Sequence, residues 1–305
     1  MNVLRNGFLL VFLSFLAALH STLSWASDSD KPEMRWYIFD IPPFHILDSN
    51  GMPTDGMSDG ILKMIINAWP EVKHTYLTTT IPRALSMLKD GEMGCYMTSL
   101  VGPERERITY MSDYTPTPKL ALVARKNVYS KLPKNKEGEV LLDQLFDDAE
   151  IRGTFHTKRS ITPLFDMLLS RKRADANISF VPPAGNGGNI LQMLAADRTD
   201  YTIEHEITVL YHSKFNKTIG DADLKLAHPA GLINGRVAIA CPRTPWGLQT
   251  IKKIDGILTK MAGTPEYLEI LTRWSRPETI KREKAEMKAF LQSRALPTNP
   301  ARWDH

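Results

Sequence analysis

One arginine in this sequence stands out for what its charge could do. Arg105 closes Gly102-Pro103-Glu104-Arg105, follows the strand-like run Gly94-Cys95-Tyr96-Met97-Thr98, and has Ser112 seven residues after it. The pattern predicts a short strand that stops, a turn, then one charged helical turn. Arg105 then stands just past the strand's C-terminal end, where open α/β sheets bind ligands. A guanidinium held there grips a carboxylate through two parallel hydrogen bonds. The plainer alternative is one more solvated charge in Glu104-Arg105-Glu106-Arg107. Arg83 offers a second cation in the first turn of a helix expected from Thr80, where the dipole favours an anion, or is simply a surface arginine. His45, His156 and His205 are the imidazoles a cleft could use, and one beside Glu204 could serve as general acid or base. A hydrogen-bonding contact is the commoner role of such a histidine. Serine-nucleophile, His-x-x-x-His and phosphate-loop patterns are missing, and Gly185-Asn186-Gly187-Gly188 lacks the Lys-Ser/Thr of a P-loop.

These groups need a scaffold, and the chain supplies strand–helix alternation twice. Arg35–Phe39 reads as a strand, Pro42-Pro43-Phe44 as an extended loop, and Ile61–Trp69 as a buried helix ended by Pro70. His74–Thr79 is a second strand, and Thr80–Leu88 a helix with proline in its first turn. After the Arg105 stretch, residues 116–125 read as one apolar strand and Asn127–Glu139 as an exposed connector. The alternation then restarts with strand Ile151–Phe155, a helix from Pro163 capped by Ser160 or Thr162, strand Asn177–Val181, a helix from Ile190 capped by Asn189, and strand Arg198–Glu204. A strand ending at Cys241, a helix capped by Thr244, another over Pro265–Trp274 and a charged helix to about Ala295 follow. The end is expected to fray into Pro297–Pro300.

Met1–Ala26 reads as a secretory signal, with Arg5 ahead of apolar Phe8–Leu19 and small residues at Ser24 and Ala26. The run is shorter than the roughly 20 apolar residues of a membrane anchor. Removing 26 of 305 residues leaves 279, enough for one large or two medium lobes, and the formal charge of +4 falls to +3 with the loss of Arg5. So small an excess, without a basic run interleaved with aromatics, does not imply nucleic acid. Cys95 and Cys241 either pair, as an oxidising compartment allows, or pack as buried thiols. Neither has a Cys or His neighbour at metal-ligand spacing, so no metal or other cofactor is expected.

The order strand, Pro-Pro-Phe44, Gly56, helix, then hydroxyl residues leading to Gly102-Pro103-Glu104-Arg105 and Ser112, resembles bacterial extracellular (periplasmic) solute-binding proteins of family 3, the amino-acid-type binding proteins of ABC importers. The likeness covers nearly all of Arg35–Trp274. It implies an α/β, two-lobed periplasmic-binding-protein-like fold of type II, with a hinge of two crossing strands. It divides the chain into a signal peptide over 1–26, lobe 1 over 27–121, lobe 2 over 122–230, a return to lobe 1 over 231–275, and a C-terminal helix and tail over 276–305.

Carried over by position, the family's carboxylate clamp falls on Thr98, on the Leu100 backbone, on Gly102 and on Arg105. Arg83 assists and Phe44 lies against the ligand. Lobe 2 contributes Lys158, Arg159, Ser160, Glu204 and His205. Three departures matter: Gly102 replaces a threonine, Gly56-Met57-Ser58-Asp59 lacks a second aromatic wall, and His205 replaces the aspartate that holds an α-amino group. Carboxylate donors persist while the anion for an ammonium is displaced, which brings an acidic or polyfunctional small solute into view. The return strand runs close to that of Cys95 in this fold, so the resemblance implies a Cys95–Cys241 disulfide. The protein it describes is a periplasmic monomer, not an enzyme, that hands a small ligand to a membrane ABC permease. The alternatives are a lyase- or dehydratase-like periplasmic enzyme on the same fold, or a ligand-presenting partner of a membrane receptor.

Overall fold

Short apolar and β-branched runs, punctuated by proline and glycine, build two five-stranded sheets. The computed structural model describes residues 31–304 apart from 158, 160, 183, 185–187, 233 and 234, so the expected signal segment lies outside the described residues. The first sheet contains β1 (Glu33–Ile38), β2 (Lys73–Thr78), β3 (Cys95–Leu100), β4 (Thr109–Pro116) and β10 (Arg236–Pro242), in the order β2-β1-β3-β10-β4. The second contains β5 (Leu120–Arg125), β6 (Gly153–His156), β7 (Ile178–Val181), β8 (Tyr201–His205) and β9 (Leu224–Ala227), in the order β7-β6-β8-β5-β9. In each, three parallel strands are extended by a fourth antiparallel to them and a fifth antiparallel to the fourth, so the two orders match position by position.

Each sheet is covered on both faces, as sheets with parallel strands require. Trp36, Ile38, Cys95 and Met97 face one apolar layer of lobe 1, which holds α1 (Met57–Asn67), and Tyr37 and Tyr96 face the other, which holds α2 (Ile81–Lys89). In lobe 2, Leu122 and Ala124 face one layer and Val123 the other. The chain crosses between lobes after β4 and again before β10. The two crossings are joined where the Thr117 N–H donates to the Gly235 carbonyl at 2.9 Å. This is the hinge of two crossing strands. Cys95 and Cys241, on the neighbouring strands β3 and β10, form a disulfide with Cα atoms 4.4 Å apart.

Several stretches differ from expectation, each for a physical reason. Strand β4 has no counterpart in the sequence reading because its buried Ser112, Asp113 and Thr115 look like loop residues. Ser112 donates to Asp255, and Asp113 receives Arg236 and Arg302, so the polarity is satisfied inside. The single apolar strand expected over 116–125 is β5 alone, preceded by the hinge crossing. The connector over 127–139 contains part of α4 (Lys126–Tyr129), with Val128 and Leu132 buried.

The C-terminal end does not fray. Helix α12 (Pro277–Arg294) is followed by a 3-10 turn, Pro300–Trp303, whose Trp303 is buried and donates to the Met111 carbonyl. Thr298 and Arg294 both bond Asp255. The N-terminal end of α12 reaches lobe 2, where Thr279 and Arg282 donate to Glu206 at 2.7 and 2.9 Å. Among the described residues, no helix is long and apolar enough to cross a membrane.

Candidate functional site

Apart from Arg83, the expected site residues lie at the C-terminal ends of β1, β3, β6 and β8 and on the loops that leave them. The first loop is fixed by a bracket. His45 Nδ1 and the Ile46 and Gly56 N–H groups all meet the Asp59 carboxylate, which sits in the first turn of α1 where the helix dipole favours an anion. His45 is therefore fully buried scaffold and not a cleft base. The bracket holds Phe44, whose ring lies edge-on to the His205 ring of lobe 2 with centroids 5.5 Å apart. Two expected site residues thus meet across the lobe boundary.

Beyond β3, Gly102 is the N-cap of α3 (Pro103–Glu106), with extended backbone at φ −176° and no atom within 4 Å of where a Cβ would stand. The glycine is not required by the backbone, and the missing threonine leaves open space. Arg105 is half-buried, with Nη1 at 3.5 Å from Ser99 Oγ and no ion pair among the described residues. The Thr98 hydroxyl is buried and has no hydrogen-bond partner there. Tyr96, two residues back on the same face of β3, feels both groups: burial pushes its phenol up to about 12, and the Thr98 hydroxyl and then the Arg105 charge oppose the rise. Leu100 lies in the ladder opposite Val237. Arg83 is exposed at the start of α2, apart from the pairing that fixes the others. Ser112 is buried against Asp255, away from any ligand role.

Lobe 2 handles its charges differently. Lys158 and Ser160 lie outside the described residues. Arg159 forms a two-pronged pair with Glu204, Nη1 to Oε2 at 2.5 Å and Nη2 to Oε1 at 2.8 Å. Burial alone would raise the Glu204 carboxyl, but the Arg159 guanidinium outweighs it and holds the group down at about 2. Glu204 Oε1 also accepts the His205 N–H at 2.8 Å. The Glu204 carboxylate is thus engaged by the Arg159 guanidinium and by the His205 backbone. His205 Nδ1 lies 2.8 Å from the Pro118 carbonyl. Burial pulls the imidazole below its ordinary value, Glu204 pushes it back up, and Arg159 pulls it down again.

The sequence reading missed Pro118, Asp59 and Tyr96. Tyr96 left a signal, since it alternates with Thr98 on one strand face, and so did Asp59, which closes Gly56-Met57-Ser58-Asp59. His156 is buried in β6, in lobe 2. Among the described residues, no cluster of three His, Cys, Asp or Glu side chains is placed to hold a metal ion.

No protein-family model matches the chain, and no curated protein matches it. Solved structures do. A probable amino-acid ABC transporter extracellular-binding protein from Bacillus subtilis superposes with a TM-score of 0.62 at 15% identity, covering 81% of this chain and 99% of that one. A histidine kinase sensor domain with similarity to periplasmic binding proteins gives 0.61 at 17% identity, over 80% of this chain and 96% of that one. An ancestral amino acid-binding protein, a precursor of cyclohexadienyl dehydratase, gives 0.60 at 14% identity with the same coverage. The fold is the two-lobed periplasmic-binding-protein-like one.

Proposed function

We propose that the protein is an exported, divergent solute-binding protein of family 3 that takes a small carboxylate-bearing solute into its interlobe cleft. It acts in the periplasm and delivers that solute to an ABC-type permease. The observation that carries the reading is Arg105. It is a half-buried guanidinium without an ion pair among the described residues, 3.5 Å from Ser99 Oγ, just past the C-terminal end of a central strand that also carries the buried Thr98 hydroxyl. Such a pair of donors is complementary to a carboxylate, which accepts both at once. Phe44, Gly102, the Leu100 backbone and Arg83 are assigned to the same site.

The fold supports binding by closure about the hinge, with the ligand buried between lobes. Its solved neighbours include amino-acid-binding proteins of importers and a sensor domain. Native mass spectrometry of protein exported by a bacterial host tests the proposal. A retained carboxylate, released unchanged on denaturation, supports it. A tightly held neutral sugar or simple cation would remove the role given to Arg105. A second reading, a lyase or dehydratase, rests on the His205 imidazole at the cleft. It requires catalytic loss of ligand that disappears in His205→Ala, whereas a binder returns every compound at full recovery.

A further inference from the structure

The hydrogen bond from His205 to Pro118 specifies which ring nitrogen carries the proton. A backbone carbonyl only accepts, so Nδ1 is the donor and, in the neutral ring, Nε2 is a bare lone pair. Burial and the Arg159 charge oppose a proton on Nε2, against the pull of Glu204. The Glu204 carboxylate is tied to Arg159 by two bonds, Arg159 brings a cation close, and the Phe44 ring closes the lobe 1 side. Burial pulls the imidazole down, in agreement with that geometry. Lobe 2 therefore presents a neutral acceptor next to a self-compensated ion pair.

Among the described residues, an ammonium finds no uncompensated anion beside His205, and the Arg159 charge opposes it. A carboxylate meets a lone pair instead of a donor. A hydroxyl group satisfies Nε2 without carrying charge into a water-poor site. We propose that the cleft selects a hydroxycarboxylate, with Arg105 holding the carboxylate and His205 Nε2 accepting from the ligand hydroxyl. His205 is thus the residue that sets specificity against amino acids. This rests on the cleft-binding reading above and sharpens its ligand class.

The test uses the mature protein and matched pairs of 2-hydroxy and 2-amino acids with identical aliphatic, aromatic or acidic side chains, titrated at neutral pH by calorimetry. The hydroxy member of the binding pair is expected to bind at least about tenfold more tightly, and His205→Asp is expected to reverse the order. If the amino member binds as well or better and its binding needs Arg105, the hydroxyl assignment falls and the binding-protein reading stands. If no member of either set binds, the carboxylate cleft itself is wrong, and the inference falls with it. Nitrogen-15 spectroscopy of the His205 ring gives an answer that needs no ligand. Protonated Nδ1 with bare Nε2 is expected; the opposite tautomer or an imidazolium overturns the proposal.

Discussion

The two lobes share a strand order but not a treatment of charge. In lobe 1, Arg105 stands beyond the end of β3 without a carboxylate partner among the described residues, half-exposed and so still partly hydrated. In lobe 2, Arg159 beyond the end of β6 is locked to Glu204 on β8. The two arginines follow different strands of the matching sheets, Arg105 the central β3 and Arg159 the strand β6, whose counterpart in lobe 1 is β1. The difference is one of burial: Glu204 is almost wholly buried, and a charge taken that far from water must be paired. A cation at the rim of a cleft need not be, and remains available to a ligand. The lobes also differ in how they are tied, since the one disulfide joins β3 to β10 in lobe 1.

Removing that tie is the largest perturbation. The closed loop spans 146 residues, and loss of a crosslink over so long a loop is worth about 4–5 kcal/mol in the chain-entropy model. Equilibrium urea unfolding of Cys95→Ser/Cys241→Ser against the oxidised protein reads it. An unchanged midpoint would show that lobe 1 does not depend on its crosslink.

Next comes the lobe 2 ion pair. Glu204→Gln leaves Arg159 without its counter-charge and is expected to destabilise by about 3–5 kcal/mol. Arg159→Met with Glu204→Leu removes both charges and should recover most of that loss. Equal stability of Glu204→Gln and the parent would mean that the pair is exposed to water in solution and that the contrast between lobes is false.

The pH dependence sharpens the same point. Folding lowers the Glu204 carboxyl from 4.5 to about 2, so in that window the unfolded chain binds the additional proton. The stabilisation is complete above pH 4.5 and is lost as pH falls toward 2. The stability gap between the parent and Glu204→Gln should close across that range. A gap that stays constant there would assign the effect to packing.

The smallest effect is expected at Gly102. Its extended backbone suits any residue and a Cβ meets no atom within 4 Å, so Gly102→Thr should change stability by no more than about 0.5 kcal/mol. The added hydroxyl should tighten anion binding beside Arg105. Weaker binding would show that ligand occupies that space.

Much of this was legible in the residues. Proline-opened helices capped by Thr162 and Thr244 appear as the sequence suggests, each threonine oxygen accepting an N–H three residues on. The Arg105 turn was readable because Gly102-Pro103 announces both strand end and helix start. Strand β4 was not, because Ser112 and Asp113 satisfy their polarity with Asp255, Arg236 and Arg302, all distant in sequence. The same holds for the tail, whose anchor is a buried arginine–aspartate pair between Arg294 and Asp255. In the cleft, residue types were visible but their partners were not. Arg159 and Glu204 read as two ligand contacts and are one another's partners, and the His205 tautomer depends on a carbonyl 87 positions away.

The central claim is that Arg105 of lobe 1 supplies the uncompensated charge that holds the ligand. Arg107 is the internal control. It is exposed, and it lines a separate cavity of about 360 Å³ with Arg243 and Arg302. Calorimetric titration of the parent, Arg105→Ala and Arg107→Ala with the ligand recovered from the native protein tests the claim most directly. Loss of a buried, hydrogen-bonded charge partner costs about 2–5 kcal/mol, so Arg105→Ala should weaken binding at least about 30-fold, with Arg107→Ala close to the parent. Equal, small effects of the two substitutions would contradict the account.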